Sequence, residues 1–531
     1  MSLASSINKL RTDANLSQEQ FAAIFGVSQQ SVQKWENGDS MPELSKLIRM
    51  SKRFGVSLDA LILGYDNRVT EILPNTHRVR PQYANMHDWE FYSANLLTEY
   101  RQSLEEGLDV DAYKDIFTAT ARLPKDEITK KLGDVLYEVV AGASLRENYR
   151  YTEPSDLESI RVLRNAHSYT PHTGPELKKR ITGAWLGRIC GCLLGKPVEG
   201  VRTNTLIPML KDTGNYPMHR YILRSDLTEP VLDRYGHYYG QLCYADTIDG
   251  MPMDDDTNYT VMYQQLVDRC GRDFTSFDIS RLWLEIQKKD AYCTAERVAY
   301  CNFIKGYAPP DSATYKNPYR EWIGAQIRGD YFGYINPGDP ETAAEMAWRD
   351  ACISHTKNGI YGEMFVAAML AIAAQTDQMT DIILGGMAQI PATSRLYEQL
   401  MWVVNAYLGG VTQAECFRQI HHLFNEHDPH DWCHTIPNAM IVAASLLYGQ
   451  GDFSRTVCMA VEAGFDTDCN GATAGSVFGM TWGIDRIGRE WTDPLRDTLH
   501  TTLFGLEKLQ ISQCIEKTLA HLPGVQKGRR A

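Results

Sequence analysis

Nothing in this chain reads as a membrane segment. Its longest apolar run, at 364–374, is far shorter than the ~20 residues a bilayer-spanning helix needs. The first ten residues are polar and carry no apolar stretch of the kind that directs export. Without an export signal, the 12 Cys read as reduced thiols of a cytoplasmic protein rather than as a disulfide framework. Positive charge is in short supply: 53 Lys and Arg against 66 Asp and Glu leave a net charge of -13. That balance excludes a broad polyanion-binding surface, so any nucleic-acid contact must fall to a small local module. No low-complexity tract or internal repeat stands out. What is there is ordinary for a globular protein, 44% hydrophobic and 22% charged, in 531 residues, enough for three or four domains.

Residues 1–66 read as five short helices. Ser17 and Gln20 form a capping box that opens the second, Phe21, Ala22 and Phe25 supply its apolar face, and Gly26 makes the turn. Ser28 caps a third helix, which Gly38 ends. Val27 and Val32 pack inward, giving the helix–turn–helix plan. The stretch LSQEQFAAIFGVSQQSVQKWENG closely resembles the phage-repressor helix-turn-helix family. By that resemblance Gln18 touches a DNA phosphate, and Gln29, Gln30 and Lys34 face the major groove of an operator, where Gln pairs with adenine N6 and N7. Acid and base nearly balance here, so affinity per copy is modest and a homodimer is expected.

Residues 67–83 carry Pro74 and Pro81 and read as a linker. Residues 84–170 have helical periodicity, with Trp89, Phe91, Leu96, Leu97 and Tyr100 on one stripe and a further helix near 125–143. No chemistry is evident there, and the segment reads as a spacer or dimerisation element docked on a larger domain, 175–520.

In that domain two acidic clusters dominate: Asp254-Asp255-Asp256-Thr257 and Asp466-Thr467-Asp468-Cys469. Crowded carboxylates raise one another's pKa unless a cation compensates, and oxygen ligands suit Mg²⁺ or Mn²⁺. The plainer reading is that these Asp residues cap helix N-termini. Ahead of them Gly183, Gly187, Gly191 and Gly195 recur every four residues, a stripe that admits another backbone closely. Pro197 ends that helix and leaves Glu199 on a loop.

GAWLGRICGCLLGKPVEG, DDDT, IGAQIR (323–328), SHTKNGIYG (354–362) and GFDTDCNGATAG occur in the order of the motifs of the ADP-ribosylglycohydrolase family, which residues 180–510 resemble. The resemblance implies an all-α bundle with two Mg²⁺ ions, or Mn²⁺, in a central cleft. It implies a hydrolase that cleaves a ribosyl glycosidic bond in an ADP-ribose-like small molecule or an ADP-ribosylated substrate. Asp254, Asp255, Asp256, Asp466, Asp468 and Cys469 would be the metal ligands, and Asp255, Asp256 and Glu199 the catalytic carboxylates. His355, Gly324, Asn358 and Gly359 would bind the substrate. Asp254 stands where the family commonly has Thr or Ser, Cys469 where it has a hydroxyl, and Cys192 where it has Asp. The extra carboxylate predicts a more acidic centre. The fused helix-turn-helix and the thiol at 469 leave a second reading open, a transcription regulator whose C-terminal domain senses an ADP-ribose or nucleoside ligand without turning it over. The stretch with His421, His422, His427, His430, Cys433 and His434 matches no closed zinc spacing.

Overall fold

The computed structural model describes residues 2–63, 81–172, 174–236 and 243–524. The chain falls into two compact units, Met1–Gln82 and Tyr83–Ala531. Most of the expected linker, 67–80, lies outside the described residues. The architecture is α-helical throughout; among the described residues the one sheet is a hairpin, β1 Thr498–His500 against β2 Lys508–Gln510.

The first unit has five helices: α1 Leu3–Asp13, α2 Gln18–Phe25, α3 Gln29–Asn37, α4 Leu44–Phe54 and α5 Leu58–Leu63. The capping box is present, with Ser17 N–H donating to Gln20 Oε1 at 2.8 Å and Gln20 N–H to Ser17 Oγ at 3.1 Å. Gly26 and Gly38 end α2 and α3 in the left-handed region, at φ 64° and 82°, where a side chain is strained. Ile7, Phe21, Ala22, Phe25, Val32, Trp35, Leu47 and Met50 form its core.

In the second unit, the helical stripe expected from Trp89 is broken. Residues Tyr83–Asn95 form short 3₁₀ turns and α6 starts only at Leu96. Leu96 is buried while Leu97 points out, because adjacent residues of a helix face 100° apart and only one can meet the core. Helices α7 Lys114–Ala121, α8 Glu127–Ala141 and α9 Leu157–Val162 complete this segment.

The bundle is built on α10 Leu177–Gly195, α11 Asp255–Cys270, α12 Lys357–Ala373, α13 Arg395–Leu408, α14 Thr435–Gly449 and α15 Thr467–Trp482. The longest apolar run of the sequence lies on α12, which is buried from Asn358 to Ala373. No described helix is long and apolar enough to cross a membrane.

The tightest packing joins α10 to α15, antiparallel. A Cβ added at Gly183, Gly187 or Gly191 would sit closer than 3.0 Å to the carbonyl oxygen of Gly479, Gly475 or Gly471, and the reverse holds for each partner. Gly195 meets the backbone of Thr467 and Asp468 in the same way, and Thr467 Oγ1 donates to Gly195 O at 3.0 Å. At the far end, buried Arg180 Nη1 donates to Ala373 O at 2.8 Å and Met480 O at 3.0 Å, placing a cation at the negative ends of α12 and α15. The glycine stripe on α10 was legible; its counterpart on α15 was masked by the acidic motif beside it.

Backbone cannot yield as a flexible side chain can, so Gly191→Ala should cost about 3 kcal/mol or more by overpacking. Thermal denaturation checks this, and a melting temperature unchanged by Gly191→Ala would show that the two helices separate freely.

Candidate metal centre

Because α10 and α15 run antiparallel, the C-terminal end of α10 meets the N-terminal end of α15. The start of α11 joins them. Asp254 is the N-cap of α11, its Oδ1 accepting from Asp256 N–H at 3.0 Å. Asp466 holds the N-cap position of α15 without a capping bond of its own. The capping and clustering readings therefore coincide: positive helix ends favour carboxylates there, and the fold brings two such ends together. The turn into α15 is fixed by Asn438 of α14, whose Oδ1 accepts from Asp466 N–H at 3.2 Å and from Asn470 Nδ2 at 2.7 Å. Trp432 Nε1 donates to Phe465 O at 2.6 Å.

The side chains gather as two triads, Cys192 with Asp254 and Asp256, and Asp466 with Asp468 and Cys469, each with its ligand atoms within 4.8 Å. Asp255 is half-buried beside them, and Glu199, after the Lys196–Val198 turn, lies exposed at the edge. Two cations that sequence reasoning missed are built in. Lys196 Nζ lies 2.7 Å from Asp254 Oδ2. Arg188, fully buried, pairs with Asp256 at 3.0 Å and Asp330 at 2.8 Å and also donates to Asp256 O at 2.8 Å. Their signal was present in GRICGCLLGK, two cations eight residues apart in an otherwise uncharged stretch. Lys196 thus offsets the added charge of Asp254, which still raises Asp255, Asp256 and Asp468.

Burial opposes ionisation of Asp254, but the Lys196 ammonium outweighs it and holds that carboxyl below its ordinary range. The others move upward. Burial, then Asp254 and Asp468, push Asp255 up to about 7. Burial raises Asp256 despite Arg188, and raises Asp466 and Asp468, which repel each other or Asp254. The charge of Asp468 raises Glu199. Burial keeps the thiols of Cys192 and Cys469 protonated.

Asp256 Oδ2 and Asp468 Oδ1 are buried with no hydrogen-bond donor. Buried polar atoms are nearly always partnered, and a carboxylate oxygen accepts only. Hard oxygen donors, repelling one another and short of a donor, fit a divalent cation. The two thiols are poor ligands for Mg²⁺, so the fit rests on the oxygens.

The residues expected to bind substrate lie deeper. His355 is 1% exposed. Its Nδ1 shares a hydrogen bond of 2.9 Å with Ser354 Oγ, its Nε2 has no partner, and burial with the nearby Arg328 charge holds it neutral. Asn358 is fully engaged: its N–H and Nδ2 donate to Glu321 at 3.0 and 2.8 Å, and Nδ2 also to Glu153 at 2.8 Å. Its Oδ1 accepts from Leu396 N–H at 3.0 Å. A Cβ on Gly324 would strike the Glu296 carboxylate, and one on Gly359 would strike Arg320 O. The acidic residues are brought together; these four pack against Ser354, Glu321, Glu296 and Arg320 instead.

Glu321, Glu153 and Arg395 form a buried charge network with α6, where Gln102 Nε2 donates to Glu321 at 2.6 Å. His430 and His434 join it beside Glu105. Their Nδ1 atoms accept from Trp322 Nε1 at 3.3 Å and Ile436 N–H at 3.2 Å, which leaves each ring proton on Nε2, where a metal would have to bind. The arrangement suits two Nε2–H donors facing the Glu105 carboxylate, not zinc.

A cavity of about 470 Å³ opens beside Glu199, lined by Val198, Arg202, Met209, Ile222 and Tyr244. A larger one, about 960 Å³, lined by Tyr216, His421, Arg455 and Glu462, includes no member of the acidic centre. In the first unit, Gln29, Gln30 and Lys34 are exposed along α3, whereas Gln18 Nε2 donates to Glu36 at 2.8 Å, tying α2 to α3.

Carboxyls with raised pKa values give a definite sign. Each costs nothing while protonated in both states and destabilises the fold once it must ionise there. In chelator-treated protein, stability should fall as pH rises from the ordinary Asp value of 3.8 through about 7. Asp255→Asn should flatten part of that fall. Scanning calorimetry across this window checks it, and a melting temperature that climbs towards neutrality would contradict the charge assignment.

The sequence profile described as ADP-ribosylglycohydrolase matches residues 173–525, and a helix-turn-helix profile matches 7–61. The HTH-type transcriptional activator BcrR of Enterococcus faecalis is 41% identical over 58 residues, which are 11% of this chain and 28% of that protein. The chain thus spans under a third of the length of that relative. A solved structure titled ADP-ribosylglycohydrolase-related protein complex is 16% identical, with a TM-score of 0.38, over 66% of this chain and 99% of its own. With its profile match extending over most of the second unit, the chain belongs to the ADP-ribosylglycohydrolase family and carries a helix-turn-helix domain ahead of it.

Proposed function

We propose that the chain is a metal-dependent hydrolase that cleaves a ribosyl glycosidic bond in an ADP-ribose-like substrate, and that its N-terminal unit binds a DNA operator sequence-specifically. The observation that carries the first half is the meeting of two acidic helix N-termini with unpartnered buried carboxylate oxygens. Asp255, Asp256, Asp466 and Asp468 would hold two Mg²⁺ ions, with Mn²⁺ as a substitute. When bound, such an ion supplies Lewis acidity, orienting ribose hydroxyls and lowering the pKa of water.

The chain's own groups do the rest. Asp255, half-buried at the cleft, accepts the proton of the water that attacks the ribose C1″ carbon. Asp256 is held by Arg188 so that its second oxygen faces the centre. Glu199 stands at the mouth, next to the cavity of about 470 Å³, where it meets the leaving group. Neutral, buried His355, with its Nε2 lacking a hydrogen-bond partner, would contact an ADP-ribose atom. Cys469, beside Asp466 and Asp468, favours a second reading, a domain that binds an ADP-ribose or nucleoside ligand and regulates transcription without turnover.

For DNA, the exposure of Gln29, Gln30 and Lys34 on one helix supports major-groove recognition, and a homodimer would bind two half-sites.

Turnover decides between enzyme and sensor. Purified full-length protein should release ADP-ribose from an ADP-ribosyl substrate with Mg²⁺, and Asp468→Asn should lose both that activity and the Mg²⁺-dependent rise in melting temperature. Tight ligand binding with no product would favour the sensor. For the operator, Gln29→Ala with Gln30→Ala should cost about 1–3 kcal/mol for each bidentate base contact. Recovery of no preferred sequence from a random duplex library would remove the DNA role.

A further inference from the structure

Lys196 is placed by the glycine contact. It follows Gly195, whose Cα lies against the backbone of Thr467 and Asp468, so its stem starts between the two acidic clusters. From there Nζ reaches Asp254 Oδ2 at 2.7 Å, with the Asp254 side chain 2% exposed. Asp254 Oδ1 is occupied by the N–H of Asp256. Both oxygens of Asp254 therefore have protein partners. The oxygens left buried without one are on Asp256 and Asp468, side chains that belong to opposite triads.

We propose that the Lys196 ammonium takes the place of one of the two ions of a two-metal centre, so that this chain binds a single divalent cation, held on the side of Asp466 and Asp468, where no salt bridge among the described residues supplies a protein cation. The inference rests on the metal-binding reading above and changes its stoichiometry from two to one. An ammonium is a compact positive charge with three N–H donors. Fixed against Asp254, it neutralises the carboxylate a second ion would need and repels that ion at short range. It also offers a donor to a substrate hydroxyl. Lys196 is thus a substrate-positioning group as well as a charge, and Asp254 is its anchor rather than a metal ligand.

Mn²⁺ counts the ions directly. Full-length protein stripped with chelator and titrated with Mn²⁺ should take up one ion per chain in equilibrium dialysis, with an uncoupled electron paramagnetic resonance spectrum. Lys196→Met should take up two, with the broadening that a neighbouring Mn²⁺ causes. Because that change strands Asp254, the double variant Asp254→Thr with Lys196→Met removes both charges at once. It should melt cooperatively and also bind two ions. Two coupled ions in the unaltered protein would overturn the inference and leave the metal centre standing, as would one ion in both folded variants. No Mn²⁺ uptake by the unaltered protein would overturn the inference and the metal-binding reading together.

Discussion

The contact between the backbones of α10 and α15 is the constraint from which the site follows. Helices normally pack 8–10 Å apart with side chains between them. Here Gly183, Gly187 and Gly191 face Gly479, Gly475 and Gly471 with no room for a Cβ. The antiparallel register then fixes which ends meet: Gly195 and Lys196 at the close of one helix, Thr467 and Asp468 at the opening of the other. A register shift of one turn would carry Asp468 about 5.4 Å along the axis and away from Asp254. The stripe has no chemistry of its own, yet it sets the spacing between carboxylates on which any chemistry depends.

Charge is organised in layers around that contact. Outermost is Glu199; next come the aspartates of the two triads; beneath them Arg188 pairs with Asp256 and Asp330, both fully buried. Breaking one partner of such a buried set is expensive, because it leaves a desolvated charge. Arg188 therefore gives Asp256 one fixed orientation, and the same logic applies to Lys196 on Asp254. The centre is acidic but not uniformly so: Lys196 holds Asp254 below its ordinary range, whereas burial raises Asp255, Asp256, Asp466 and Asp468, the Arg188 partner of Asp256 notwithstanding.

A second network does similar work around Asn358. Segment 83–165 contributes Glu99, Gln102, Glu106 and Glu153, which meet Arg320, Glu321, Lys357 and Arg395 of the bundle. Asn358 sits at its centre with every amide group used. This segment is thereby tied to the loop around His355, and its charges serve to hold that loop rather than to touch a ligand.

Much of this was legible in the sequence. Local rules gave the helices of the first unit, because capping and left-handed glycines act over four residues: Ser17 with Gln20, Gly26 and Gly38 are where short-range chemistry put them. Motif order gave the family and the all-α class, and the density of Asp at 254–256 and 466–468 marked the acidic centre. Tertiary structure alone decided the rest. That Lys196 answers Asp254, that Arg188 answers Asp256, and that Asn358 is consumed by Glu321 and Glu153 are contacts between residues 37 to 205 positions apart. No local periodicity encodes such pairs; they form because the bundle brings α10 to the start of α11 and segment 83–165 to the start of α12.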